Sequence, residues 1–303
     1  MKKVSWVSAF ALSAAIASVV SADITGSIKI DGEVPEAKEI AMDADAGCKA
    51  QHADPVLDPS VVAGEKGELA NVIVFIKAED PAALGGEAPK DPVVLDQKGC
   101  MYVPHVLTMT VGQDLTVKNS DGFLHNVHSL AVTNPAFNFG QPNKDPGKKV
   151  PEQPKATETF RVKCDVHPWM SAYIGVFEHP FHAVSAEDGK YTIKGKVPDG
   201  EYTLVAWHEK FGEKEEKVTI KDGKAETNFS FKPEAASIDP VGATIELAAS
   251  VEKKTTAAGA TAAECTACCP DKAKAALTSQ APAKQEPAKT QAAKTVAPQA
   301  AAQ

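Results

Sequence analysis

The stretch Thr159-Phe160-Arg161-Val162-Lys163-Cys164-Asp165-Val166-His167-Pro168-Trp169-Met170 decides how the rest of the chain is read. Up to Cys164 the side chains alternate. Phe160, Val162 and Cys164 share one face and Thr159, Arg161 and Lys163 the other, the period of a half-buried β-strand. Beyond Cys164 the alternation stops, and Pro168 stiffens the turn that follows. A thiol, an imidazole and a thioether (Cys164, His167, Met170) then fall within seven residues. A cysteine at the end of an inward strand face sits in apolar surroundings. There it stays protonated unless a cation stabilises the thiolate.

A second imidazole lies upstream in Leu124-His125-Asn126-Val127-His128. In an extended segment His125 and His128 are an odd number of positions apart and face opposite sides, so one ring can join the thiol; alternation does not say which. A thiolate, two imidazoles and a weak axial thioether form the donor set that suits a single type 1 (blue) copper, and such a site suits one-electron transfer. Oxidases that reduce oxygen need histidines beside the copper cysteine, and Lys163 and Asp165 occupy those positions. A binuclear centre needs a second cysteine near Cys164, which the sequence lacks.

Outward from this stretch the sequence reads as strands. Asn71–Lys77, Leu107–Val111, Leu115–Lys118, Tyr191–Ile193, Tyr202–Ala206 and Lys217–Lys221 are short β-branched or alternating runs. Turn signals such as Asp188-Gly189, Pro198-Asp199-Gly200 and Asp222-Gly223 separate them. The predicted fold class is all-β, as sandwiches or barrels. Phosphate-loop, dinucleotide, nucleophile-elbow and H-E-x-x-H signatures are absent, so the reading is a binding protein and not an enzyme.

These residues resemble the cupredoxin family, and most closely its amicyanin branch, which shares the C-x-x-H-x-x-M spacing and a similar His-Asn-Val-His segment. The resemblance also takes in the hairpin Val111–Asn119 and covers about residues 92–178, which it implies to be a Greek-key β-sandwich. It implies His125, Cys164, His167 and Met170 as the ligands of one type 1 copper per chain. It further implies that Asn126 ties the two ligand loops together. An electron carrier of this kind is expected to hold His167 near the surface, with Pro168, Trp169 and Phe123 or Leu124 as an apolar docking patch. The stretch from Thr133 to Pro154 fits no part of a minimal cupredoxin. A second resemblance, to the carboxypeptidase regulatory-like or transthyretin-like β-sandwich, rests on Ala183–Ile193 and Val197–Leu204, with opening strands such as Ile24–Ile30 and Val72–Ile76. It implies a second, non-catalytic sandwich, discontinuous over 23–91 and 179–236, with the copper domain inserted.

The ends of the chain are set apart. Lys2 and Lys3, an apolar run from Val4 to Val20 and Val20-Ser21-Ala22 predict a secretory signal peptide over residues 1–22, cleaved after Ala22. The mature protein is therefore expected in the periplasm or otherwise exported, with no membrane span. Residues 252–303, rich in Ala, Lys, Pro and Gln, predict a disordered tail. That tail carries Cys265, Cys268 and Cys269, read as a disulfide or a soft-metal cluster. In an oxidising compartment Cys48 and Cys100 are expected to form a disulfide; the alternative pairs Cys48 with His52, or Cys100 with His105, as an auxiliary metal site. His179, His182 and His208 read as exposed histidines.

The net charge of -8 argues against nucleic acid. Without the leader lysines and the tail, where seven Lys face four acidic residues, about 13 negative charges remain on the middle of the chain. Three functions follow: an exported one-electron carrier serving unidentified redox partner proteins, a copper buffer or delivery protein that also uses the tail thiols, and an envelope-binding sandwich with a vestigial copper site.

Overall fold

The computed structural model describes residues 23–233, so the expected leader and tail, with Cys265, Cys268 and Cys269, lie outside the described residues. Along the chain run β1 (Asp23–Ile30), a four-residue helix α1 (Ala46–Lys49), β2 (Ile73–Lys77), β3 (Val93–Lys98), β4 (Met101–Val103), β5 (Val106–Thr110), β6 (Leu115–Asn119) and β7 (His125–Ser129). Then come β8 (Asn138–Gln141), β9 (Asp145–Lys149), β10 (Glu158–Lys163), β11 (Ser171–Phe177), β12 (His182–Val184) and β13 (Lys190–Lys194). β14 (Gly200–His208), β15 (Gly212–Ile220), β16 (Ala225–Glu226) and β17 (Phe229–Phe231) complete it. The fold is all-β.

The strands form four sheets around two cores. One sheet, ordered β13-β1-β16 with β17 also on β1, faces another, β12-β2-β14-β15. Between them lie Ile24, Ile28, Val74, Ile76, Ile193, Leu204 and Phe229. β1 accommodates its neighbours only because residue 26 is glycine: a Cβ there would sit 1.7 Å from the Thr227 carbonyl oxygen.

The other two sheets, β5-β11-β10-β7-β8 and β4-β3-β6-β9, enclose Leu95, Val117, Val127, Phe160, Val162, Ile174 and Val176. Their strands all come from the chain between β2 and β12. Parallel pairing of β5 with β11 and of β3 with β6 requires the chain to cross between the sheets, as it does between β4 and β5 and again between β5 and β6. β6 and β10 show the alternation that the sequence announces, with Leu115, Val117, Phe160 and Val162 buried. A smaller cluster, Ile73, Val106, Tyr173 and Phe177 with Trp207 against it, packs β2 and β14 onto β5 and β11 and so joins the two sandwiches.

Two stretches depart from the sequence reading. Thr133–Pro154 supplies β8 and β9, which extend the two sheets of the second sandwich by pairing with β7 and β6. Its Pro146 and Gly147 are tolerated because β9 is an edge strand. Residues 40–56, grouped by sequence with the first sandwich, instead pack on the second core: Met42 and Cys48 are buried in it, with Ile40 and Val56 against it. This excursion carries α1 and is bracketed by a bridge between Glu39 and Leu57.

The turn after β7 is held by one carboxylate. Glu158 accepts the N–H groups of Val132 (2.6 Å), Thr133 (3.1 Å) and Asn134 (2.8 Å) and the Asn134 side-chain amide. Burial would raise the Glu158 carboxyl, but these donors outweigh it and hold it below the usual range. A depressed folded value contributes stability above the unfolded value, and that stability is lost as pH falls through the folded one. Glu158→Gln is expected to cost about 1–3 kcal/mol at neutral pH and to flatten the acid limb of a urea-unfolding stability profile; an unchanged acid limb would refute this account.

Candidate metal centre

β7 and the loop after β10 bring the site together. His125 opens β7 with its side chain inward, while His128 lies on the opposite, partly exposed face. One ligand-type atom each from His125, Cys164 and His167 lies within 4.8 Å of the other two, and all three residues are buried. The loop from Cys164 is a tight turn. The Cys164 N–H donates to the Met170 carbonyl (3.2 Å), the Met170 N–H to the His167 carbonyl (3.0 Å), and the His167 N–H to Cys164 Sγ (3.4 Å). Met170 is fully buried in the same core, and Cys164 is the free cysteine among the described residues.

The two rings meet nitrogen to nitrogen, His125 Nδ1 lying 2.9 Å from His167 Nδ1, with Cys164 Sγ 3.8 Å from the latter. Behind each ring stands a carboxylate. His125 Nε2 is 2.8 Å from Asp121 Oδ2, and His167 Nε2 is 3.2 Å from Asp45 Oδ2. An ionised carboxylate can only accept, so Nε2 is the donor in each pair and Nδ1 is the nitrogen that each ring turns to the other ring. Two imidazole nitrogens and a sulfur thus converge in a buried space. Such donors fit a soft or borderline ion such as copper, and Met170 is buried in the same core.

The supporting residues explain why the carboxylates stay ionised. Asp121 is buried, which alone would raise its carboxyl. The N–H groups of Cys100 and Gly99 (both 2.9 Å) and the His125 ring outweigh this and hold it below the usual range. Asp45 is held low by the Cys48 N–H and then by His167. Burial pushes His125 toward its neutral form. Asn126 joins the two ligand segments: its Oδ1 accepts the Asp165 N–H at 2.5 Å and its amide donates to Asn138 Oδ1 (2.8 Å) and Asp165 Oδ2 (3.2 Å). His128 pairs with Asp165 on the outer face (3.0 Å).

Cys48 and Cys100 form a disulfide. The alternative auxiliary sites are accordingly not formed: His52 Nε2 bonds the Gly99 carbonyl (2.7 Å), and His105 pairs with buried Glu209. The disulfide lies against the centre. Cys100 Sγ falls within 4.8 Å of ring nitrogens of both His125 and His167.

Several expectations are corrected. His167 is 2% exposed and not near the surface: Asp45 from the 40–56 excursion and the Phe123 and Trp169 rings stand against it. Of the docking patch, Leu124 is 45% exposed, Phe123 and Trp169 are half-buried, and Val166, 44% exposed, joins them. Pro168 is exposed within the ligand loop. His179 and His208 are buried and His182 is half-buried. His179 bonds the Ile76 carbonyl (2.8 Å), His182 pairs with Thr110 Oγ1 (3.1 Å), and His208 stacks on Phe211. Burial holds His182 down to about 4 and His208 to about 3, so both serve the core as neutral rings. Asp45 and Asp121 escape sequence reading. Asp121 has at least a local cue, lying four residues before His125 in the Ser120-Asp121-Gly122 turn; Asp45 is separated from His167 by 122 residues.

No family model matches the chain, and no curated protein matches it. Among solved structures it is similar to the Cu-containing nitrite reductase from Thermus scotoductus SA-01, with 26% identity over 33% of this chain and 25% of that one, at a TM-score of 0.25. The chain thus spans a quarter of that enzyme's length. It is also similar to a reduced Cu(I) form of amicyanin carrying a proline-to-glycine mutation (24% identity, 34% of this chain, 97% of that one, TM-score 0.25). A third is the purple cupredoxin from Nitrosopumilus maritimus (22%, 28% and 98%, TM-score 0.23).

Since only His125 faces the cluster, His125→Ala is expected to abolish stoichiometric Cu(II) binding in a calorimetric titration, while His128→Ala leaves the affinity within a few-fold. Asp121→Asn should weaken binding about 10–100-fold through loss of the ring's orientation. Loss of binding with His128→Ala alone would reverse the assignment.

Proposed function

We propose that this protein is an exported carrier of single electrons that holds one type 1 copper at His125, Cys164, His167 and Met170. The observation that carries the reading is the convergence of His125 Nδ1, His167 Nδ1 and the buried Cys164 sulfur, each ring held at Nε2 by a carboxylate. Bound there, copper would supply a one-electron couple. The chain's contribution is rigidity. The sulfur comes from a strand end, one ring from β7, the other ring and the thioether from a hydrogen-bonded turn, and Asn126 locks the two segments together. A centre so held has little to rearrange between oxidation states, which is what fast electron transfer asks of it.

The partner is a redox protein met briefly. Leu124 and Val166 flank the two histidines in sequence and are exposed, and with Phe123 and Trp169 they offer a small apolar face. Weak electron-transfer encounters use interfaces at the small end of the range. Export rests on the leader expected at residues 1–22 and agrees with the disulfide.

Purified protein loaded with Cu(II) is expected to show an intense visible band from sulfur-to-copper charge transfer, absent in Cys164→Ser. Colourless protein at stoichiometric copper would overturn the proposal.

A further inference from the structure

A copper carrier needs its four donors and a path to the surface, and neither accounts for the cover over His167. The excursion of residues 40–56 leaves the first sandwich, buries Met42 in the second core and is fastened by the Cys48–Cys100 disulfide. It sets α1 against the centre. The N-cap of α1, Asp45, divides its two oxygens between two tasks. Oδ1 accepts the N–H groups of Gly47 (2.8 Å) and Cys48 (3.0 Å), and Oδ2 receives His167 Nε2 (3.2 Å). Gly47 lies over the Phe123 ring, where a Cβ would stand 3.5 Å from Cε1, and Phe123 in turn lies edge-on to His167. The Asp45 side chain is 38% exposed and that of His167 only 3%, so the carboxylate stands between the imidazole and water.

We infer that Asp45 is a positioning residue for His167, and that the disulfide-fastened cover carrying it sets both the retention of the metal and the balance between its oxidation states. The inference rests on the copper reading of the preceding subsection. An acceptor at Nε2 fixes the tautomer that leaves Nδ1 free and makes the ring a stronger donor. Negative charge close to the centre favours the more positive ion, Cu(II), over Cu(I). The cover also keeps water and competing ligands from the edge of His167. The anchoring disulfide has a second effect, since Cys100 offers its N–H to Asp121. One covalent link therefore fixes the supports of both rings.

The test uses the copper-loaded full-length protein. Asp45→Ser keeps an oxygen to cap α1 but has no second oxygen for His167. It is expected to keep the visible band, to lose copper to excess chelator at least tenfold faster, and to raise the midpoint potential. A tenfold selective weakening of Cu(II) corresponds to about 59 mV for a one-electron couple. Asp45→Glu, which restores the charge, should recover part of the potential. The double variant Cys48→Ser/Cys100→Ser should also release copper faster, through the unfastened cover. If Asp45→Ser keeps a wild-type potential, the inference is overturned whatever the release rate does, because Asp45 would then be a helix cap and nothing more. Wild-type protein that never takes up colour would overturn the copper reading as well, and the spectrum recorded before any variant separates the two failures.

Discussion

Two imidazole rings whose Nδ1 atoms lie 2.9 Å apart, each met at Nε2 by a carboxylate, form the constraint on which the candidate site depends. Neither ring can turn freely. His125 is fixed by its place at the start of β7 and by Asp121, itself held by the N–H groups of Gly99 and Cys100. His167 is fixed by the tight turn between Cys164 and Met170 and by Asp45. The fold thus holds both rings and the buried sulfur in one place before any ligand is considered, so little reorganisation would be needed to bind one.

This arrangement gives the Cys48–Cys100 disulfide more than a stapling role. A link between a loop of the first sandwich and the turn after β3 restrains the unfolded chain, as any disulfide does. Its position matters as much as its presence. Cys48 follows the N-cap that supports His167, and Cys100 carries one of the donors that supports Asp121. Trp169, next but one to His167, donates its indole N–H to the Cys100 carbonyl at 3.1 Å, so the ligand loop is tied to the same point. Cover, loop and second carboxylate therefore share one anchor.

What could be read from the sequence and what could not divides along chain distance. Cys164, His167 and Met170 fall in one turn after one strand, so their spacing states their convergence directly, and the alternation of Phe160 and Val162 says which way the sulfur faces. Choosing between His125 and His128 needed the family resemblance, because period-two alternation separates the two rings without saying which faces the core. β8 and β9 were hidden by Asn, Pro, Gly and Lys, which oppose strand structure locally and are admitted here by their partners in β7 and β6. Asp45 could not be found at all. Its contact with His167 depends on a tertiary excursion, and its sequence shows only a helix cap. The buried state of His179 and His208 was misjudged for a related reason: a histidine at a strand end looks exposed until another element supplies a carbonyl or a ring to cover it.

The closing of the His167 edge also changes what the first sandwich is for. The second sandwich is contained between β2 and β12, whose own pairing with each other brings the two ends of the inserted chain together. An insertion with neighbouring ends disturbs its host little. Packing between the two is then consolidated by Ile73, Val106, Tyr173 and Phe177. Were that all, the host would be a passive platform. Yet the covering segment arises within the host's chain, between β1 and β2, and returns to it after Val56. The carboxylate that meets His167 therefore comes from the chain between two strands of the first sandwich. Because that segment packs on the second core and is fastened there at Cys100, Asp45 stays with His167 although its chain runs between two strands of the first sandwich.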